Sequence, residues 1–183
     1  MSGQDLNLGR LVHGYWRAHE WGLNAEGYLA LIHDVLSLGI RTFDHAACYG
    51  GFANEEAFGQ ALALEKGLRE QMTIVSKCGI VFPNAQLPEM KSKHYDNSRA
   101  HIVWSAERSV EKLQCGYLDL LLIHRPSPCA HPEEIAAAFD DLHRRGLVRP
   151  FGVSNYSAQK FSMLQSYVDQ PLATTQITLS PLH

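Results

Sequence analysis

The sequence predicts an α/β protein, a parallel (β/α) TIM-type barrel with about six of its eight units present. Three observations carry this expectation. Short apolar strands alternate with helices of about 12 to 16 residues, the order that builds a parallel sheet. Polar residues close the second, third, fourth and fifth strands, as they do when chemistry is gathered at the C-terminal rim of a barrel. No G-x-G-x-x-G follows any strand, which weakens the alternative of an open nucleotide-binding sheet.

The first strand is expected at Arg10–His13, leading into Gly14, Tyr15 and Trp16. A helix follows from about Ala25 to Leu38, with Asn24 placed as its N-cap and Gly39 at its stop. The second strand, Ile40–Asp44, precedes a helix from about Glu55 to Lys66 that ends near Gly67. Thr73–Lys77 is the third strand. After it, residues 79–97 carry Pro83, Asn84, Pro88 and Asn97 and predict an irregular loop.

Ser98 caps the next helix, where Ile102, Val103, Ala106, Val110 and Leu113 recur at helical spacing as far as about Gln114. Gly116 ends it. Leu118–His124 is a near-continuous apolar run, suited to a strand buried on both faces. His131-Pro132-Glu133-Glu134 starts a helix, with proline at the first position and acids in the first turn, and Gly146 stops it after Arg145. Pro150–Val153 is the fifth strand, running into Ser154 and Asn155. A helix over Ser157–Val168 and a sixth strand over Ala173–Ile177 complete the pattern. A full eight-unit barrel takes about 200 to 250 residues. Residues 1–183 are therefore expected to form a single barrel domain whose C-terminal part is missing.

Composition narrows the function classes. With 45% hydrophobic and 19% charged residues the chain is ordinary globular material. A formal net charge of −3 argues against nucleic-acid or anionic-membrane partners. Neither a basic, then apolar, leader nor an 18-residue apolar run is present, so a cytoplasmic location is expected. Cys48, Cys78, Cys115 and Cys129 show no metal-binding spacing and are expected as reduced thiols. Cys48 and Cys78 adjoin candidate site residues, but nothing marks either as a nucleophile.

The candidate site comes from the strand ends. Asp44 closes an apolar strand and, if buried, needs a cationic partner. Lys77 ends the next strand, about 4.8 Å away across a parallel ladder, so an Asp44–Lys77 pair is geometrically natural. A structural ion pair at a barrel end is the lesser alternative reading of the two residues taken alone. Tyr49 lies in the glycine-bearing loop after Asp44, and beside Lys77 its phenol is expected to have a lowered pKa, suiting a general acid. His124 is either a core histidine or, at the same rim, a group that orients a carbonyl oxygen.

TFDHAACYGGFANEEAFGQAL at 42–62, SKCGI at 76–80, DLLLIHRP at 119–126 and FGVSNYS at 151–157 occur in order and at plausible distances. Together with HGYWR near the start, they make the chain resemble the aldo-keto reductase family, in particular a bacterial oxidoreductase subgroup. The resemblance implies NADPH-dependent reduction of an aldehyde or ketone. Tyr49 would be the general acid, Lys77 would tune it, Asp44 would hold Lys77, and His124 would position the carbonyl. Ser154, Asn155 and Gln176 match positions that hydrogen-bond the nicotinamide carboxamide, and Trp16 matches a pocket wall, though it also suits a core aromatic. His45 stands where the family commonly has threonine and is expected to pack outward. The family's later strands, which hold the adenosine end of the cofactor, have no counterpart in this sequence, so NADPH is implied by resemblance and NADH stays open.

Two other classes compete. A strand-end lysine followed by a strand-end histidine also suits a metal-dependent barrel hydrolase, but such sites commonly take an H-x-H on the first strand, where this chain has His13 alone. A non-catalytic reductase-fold remnant or regulatory subunit is the other. Six barrel units leave two exposed edges, so self-association is also expected.

Overall fold

The computed structural model describes residues 6–84 and 88–180. Eight strands and five α-helices follow the order β1 (Val12–Gly14), α1 (Ala25–Ser37), β2 (Thr42–Asp44), α2 (Asn54–Leu64), β3 (Thr73–Cys78), β4 (Ile80–Val81), β5 (His94–Tyr95), α3 (Arg99–Leu113), β6 (Leu120–Ile123), α4 (Pro132–Arg144), β7 (Phe151–Ser154), α5 (Ala158–Gln165) and β8 (Thr175–Gln176). Six of the strands form one parallel sheet in the order β1-β2-β3-β6-β7-β8. Each new strand joins the same advancing edge. A doubly wound sheet reverses direction at a switch point, and this one never does, so the winding is that of a barrel.

Local chemistry starts the helices. Asn24 Oδ1 accepts from the Gly27 amide at 2.9 Å, and the Ser98 and Ser157 hydroxyls accept from the amides of His101 and Lys160, each at 3.3 Å. These bonds satisfy donors that a helix start leaves open. The helix α4 opens instead with proline at its first position and two glutamates in its first turn. Residues 79–97 depart from the expected irregular loop: β4 and β5 pair antiparallel, Ile80 opposite Tyr95 and Val81 opposite His94. The hairpin is two residues deep and both β5 side chains are exposed, so no apolar alternation announces it.

Alternation along the strands divides the side chains between two cores. Phe43, Ile74, Leu121, Ile123 and Val153 face the helices and join the main core. Val75, Leu120 and Leu122 occupy the inner face, packed with Leu6 and Leu8 of the N-terminal segment. Because successive residues point to opposite faces, Asp44, Lys77, His124 and Ser154 share the inner face. That parity places the polar strand ends inside the rim. It also sends His45 outward, under α2, where its ring lies 4.5 Å from both Tyr15 and Phe58 and is fully buried.

Helices α2 and α3 cross closely at Gly59. A Cβ there would sit 1.9 Å from the Lys112 carbonyl oxygen. Backbone cannot yield as a flexible side chain does, so Gly59→Ala should destabilise the chain by about 1–3 kcal/mol. Urea unfolding should show a lower midpoint with an unchanged slope; an unchanged midpoint would contradict the close crossing.

Candidate active site

Asp44, Tyr49, Lys77 and His124 meet at the C-terminal rim. Asp44 and Lys77 arrive on neighbouring strands, His124 follows β6, and Tyr49 opens a short 3-10 turn over Tyr49–Phe52. Gly50 and Gly51 take left-handed backbone in that turn (φ 58° and 65°), and a Cβ on Gly50 would overlap Asn54 Oδ1 at 1.9 Å. Asn54 in turn donates through Nδ2 to the Tyr15 carbonyl at 2.7 Å and to that of Trp16 at 3.3 Å. The loop carrying Tyr49 is thereby tied to the loop carrying Trp16. Behind it, the buried Glu55 carboxylate accepts from Ser76 Oγ at 2.6 Å and Ser109 Oγ at 3.1 Å. Burial pushes Glu55 above the usual carboxylate range in spite of those hydroxyls.

Lys77 is the hub. Its side chain is 1% exposed, and its ammonium donates to Asp44 Oδ2 at 2.6 Å, the His45 carbonyl at 2.8 Å and Tyr49 Oη at 3.2 Å. All three donors are thus used. Burial pulls the Lys77 pKa down, and Asp44 opposes it. The expected lowering of Tyr49 is overturned: burial, then the Asp44 carboxylate and the neighbouring Cys48, push its pKa well above the ordinary phenol value. The charge of Lys77 is already matched by Asp44, so desolvation of the phenolate prevails. Tyr49 therefore keeps its proton at neutral pH, and with its oxygen accepting from Lys77, its own O–H remains available to donate.

His124 stands edge-on to Tyr49, ring centroids 5.8 Å apart. Burial, then Lys77, Arg125 and Lys93, hold its pKa down to about 3, so the ring is neutral. A cleft of about 630 Å³ opens over the group, lined by Cys48, Tyr49, His124, Ser154, Asn155 and Gln176 among others. Its outer wall includes Trp16, which is 69% exposed and is not a core aromatic. Phe82 and Tyr95, from the hairpin region, line it too, as do Lys93 and Arg125. Among the described residues no group of three or more His, Cys, Asp or Glu side chains is placed to hold a metal ion.

Ser154, Asn155 and Gln176 form a polar set beside this cleft. Asn155, held in left-handed backbone (φ 60°), donates through Nδ2 to Ser154 Oγ at 2.7 Å and to the His124 carbonyl at 3.3 Å. Gln176 Nε2 reaches Asp44 Oδ1 at 3.4 Å. With those donors engaged, the set still offers one hydroxyl donor, on Ser154, and two amide carbonyl acceptors. A primary carboxamide presents two N–H donors and one carbonyl acceptor, so the donor set fits that group. The sequence does not announce Asn54, which ties the Tyr49 loop to the Trp16 loop, Glu55, which joins α2 to β3 and α3, or the approach of Cys48 to His124. The Y-G-G and N-E-E runs carry only a weak signal for the first two, since glycine pairs and a buried-side acid flank the loop. No local pattern signals the third.

A curled parallel barrel sheet bearing an Asp–Lys–Tyr–His group at its rim is the architecture of a particular enzyme class. The aldo/keto reductase family model matches residues 10–183, and the chain belongs to that family. It is 47% identical over 177 residues to the oxidoreductase YcsN of Bacillus subtilis (strain 168), covering 97% of this chain and 59% of that protein. Oxidoreductase YdhF of Escherichia coli (strain K12) is 47% identical over 180 residues, with 98% and 60% covered. A 6-dehydroglucose reductase of Agrobacterium fabrum is 40% identical over 178 residues, with 97% and 60% covered. Among solved structures, a glycerol dehydrogenase of Gluconobacter oxydans superposes with TM-score 0.80 at 31% identity, covering 97% of this chain and 54% of that one. The chain thus spans about three fifths of the length of the curated relatives it matches.

Proposed function

We propose that this chain, as one domain over residues 1–183, carries the proton-transfer site of a carbonyl reductase that uses NADPH to reduce a small aldehyde or ketone. Tyr49 is its general acid. The observation that supports this reading most directly is the Lys77–Tyr49 contact at 3.2 Å, in which the ammonium donates and leaves the phenol proton free. A carbonyl oxygen entering the cleft meets that proton and the neutral His124 ring. As negative charge develops on the oxygen, Tyr49 transfers its proton, and Lys77 stabilises the phenolate that forms. Asp44 holds Lys77 in place and balances its charge. Ser154, Asn155 and Gln176 would hold the carboxamide of the nicotinamide cofactor, which when bound supplies the hydride. Trp16, Phe82 and Tyr95 would exclude water from the outer part of the cleft.

NADPH is preferred over NADH on family grounds. A Klebsiella pneumoniae aldo/keto reductase in complex with NADP superposes at TM-score 0.68 and 26% identity, covering 86% of this chain and 50% of that one. A cytoplasmic location and self-association through the open edges β1 and β8 belong to the same reading; no helix among the described residues is long and apolar enough to cross a membrane. The deciding experiment mixes the purified, folded chain with 4-nitrobenzaldehyde and follows oxidation of NADPH, with NADH in parallel. Aldehyde-dependent oxidation, faster with NADPH, supports the proposal. A folded chain that oxidises neither cofactor overturns it for this polypeptide.

A further inference from the structure

We propose that Cys48 is a positioning residue for His124: its thiol donates to Nδ1, which fixes the neutral imidazole as the Nε2–H tautomer. The proposal takes its catalytic consequence, though not its geometry, from the carbonyl-reductase reading above. Cys48 Sγ lies 3.7 Å from His124 Nδ1, within reach of a sulfur hydrogen bond. Both residues line the cleft, so with Nδ1 engaged, Nε2 is the nitrogen left for a substrate. The neutral ring carries one proton, and the hydrogen bond made by one nitrogen decides which nitrogen holds it.

Two facts select the Nε2–H form. Burial pushes the Cys48 thiol up to about 11, so at neutral pH sulfur keeps its hydrogen and can serve as donor. A thiol sulfur is a weak acceptor, whereas an unprotonated imidazole nitrogen is a strong one, so S–H donating to Nδ1 is the better pairing. Tyr49 stands edge-on to the ring, with its oxygen accepting from Lys77 and its proton free. With Nε2 protonated, the phenol and the imidazole are both donors, and one carbonyl oxygen can accept from both. Cys48 thus acts on the substrate only through His124. Lys77, Arg125 and Lys93, the cations that bear on this ring, oppose a second proton on it.

The test is nitrogen NMR of the 15N-labelled chain at pH 7, unaltered and as Cys48→Ala and Cys48→Ser. Expected are a bare Nδ1 and a protonated Nε2 for His124 in the unaltered chain, a mixture of tautomers in Cys48→Ala, and recovery in Cys48→Ser, whose hydroxyl can donate again. Turnover of Cys48→Ala should fall by about two- to tenfold, set by the fraction of molecules keeping the competent tautomer, with an unchanged KM for cofactor and rescue by serine. An Nδ1–H tautomer in the unaltered chain, or a tautomer unmoved by Cys48→Ala, overturns the proposal. The tautomer is read without turnover, so an inactive chain would refute only the reductase reading.

Discussion

Replacing Tyr49 by phenylalanine is expected to lower turnover of an aromatic aldehyde by about 10² to 10⁴-fold, the usual worth of a positioned general acid. That corresponds to about 3 to 5 kcal/mol of transition-state stabilisation. The ring and its packing survive the change, because the substitution removes one oxygen from a residue that is only half-buried. What is lost is the proton that Lys77 leaves free by donating to the phenol at 3.2 Å. Cofactor affinity should stay within about twofold, because Asn155 and Gln176 direct their side-chain hydrogen bonds to Ser154, the His124 carbonyl and Asp44 and not to Tyr49. A variant that retains turnover within a few-fold would remove Tyr49 from the mechanism. The raised phenol pKa is compatible with this role. At neutral pH the acid is fully loaded, and the ammonium 3.2 Å away stabilises the phenolate only as it appears.

Much of this architecture is legible in the chain because it is written in local chemistry. Asn24, Ser98, Ser157 and Pro132 start their helices by short-range hydrogen bonding or fixed backbone angle. The rim group is legible for a different reason. In a parallel sheet wound in one direction, consecutive strands deliver their C-terminal residues to the same end, so Asp44, Lys77 and His124 become neighbours once the strands are recognised. What escapes the sequence depends on three-dimensional distances. The β4–β5 hairpin is too short and too exposed to leave a pattern. The direction of the Tyr49 shift depends first on how deeply the loop buries the phenol, which the residue pattern of a glycine-bearing loop does not show. Cys48 meets His124 across 76 positions of sequence.

Burial of histidine leads to a pH dependence of stability that the sequence does not show either. His45 has both ring nitrogens buried without a partner, and burial holds its pKa to about 3. His124 is likewise held to about 3. Both are depressed below the unfolded value of about 6.5. The unfolded chain therefore takes up these protons first, and the stability from keeping the rings neutral is complete above pH 6.5 and lost as pH falls toward 3. At pH 5 the loss is about 2 kcal/mol for each ring. Glu55, shifted upward, opposes this by accepting its proton in the folded state before the unfolded chain does. Urea midpoints should be flat above pH 7 and decline below 6.5, with a shallower decline in His45→Phe; His13 and His101, also lowered by burial, add to the remainder. Constant midpoints from pH 7 to 5 would contradict the burial of these rings.

The largest stability effect is expected at Asp44. Lys77 is buried to 1% exposure, and among the described residues its ion-pair partner is Asp44 Oδ2 at 2.6 Å. Asp44→Asn keeps the shape and a hydrogen-bonding oxygen but removes the counter-charge, leaving an ammonium in the barrel mouth with neutral partners. Breaking a buried pair in this way costs about 3–5 kcal/mol. The pH dependence identifies the cause. In the variant the folded Lys77 pKa should fall far below its unfolded value of about 10.4, so the deficit is greatest at neutral pH and shrinks as pH rises toward 10. Adding Lys77→Met removes the stranded cation, and the double variant should recover part of the loss, because an apolar pair of similar volume replaces an unmatched charge. A deficit that is independent of pH, or a double variant less stable than Asp44→Asn alone, would show that Asp44 acts through packing and its 3.4 Å contact with Gln176 instead of through Lys77. Turnover separates the two roles further. Asp44→Asn should impair proton transfer through a displaced or neutral Lys77, whereas a packing defect at this position would act mainly on folding.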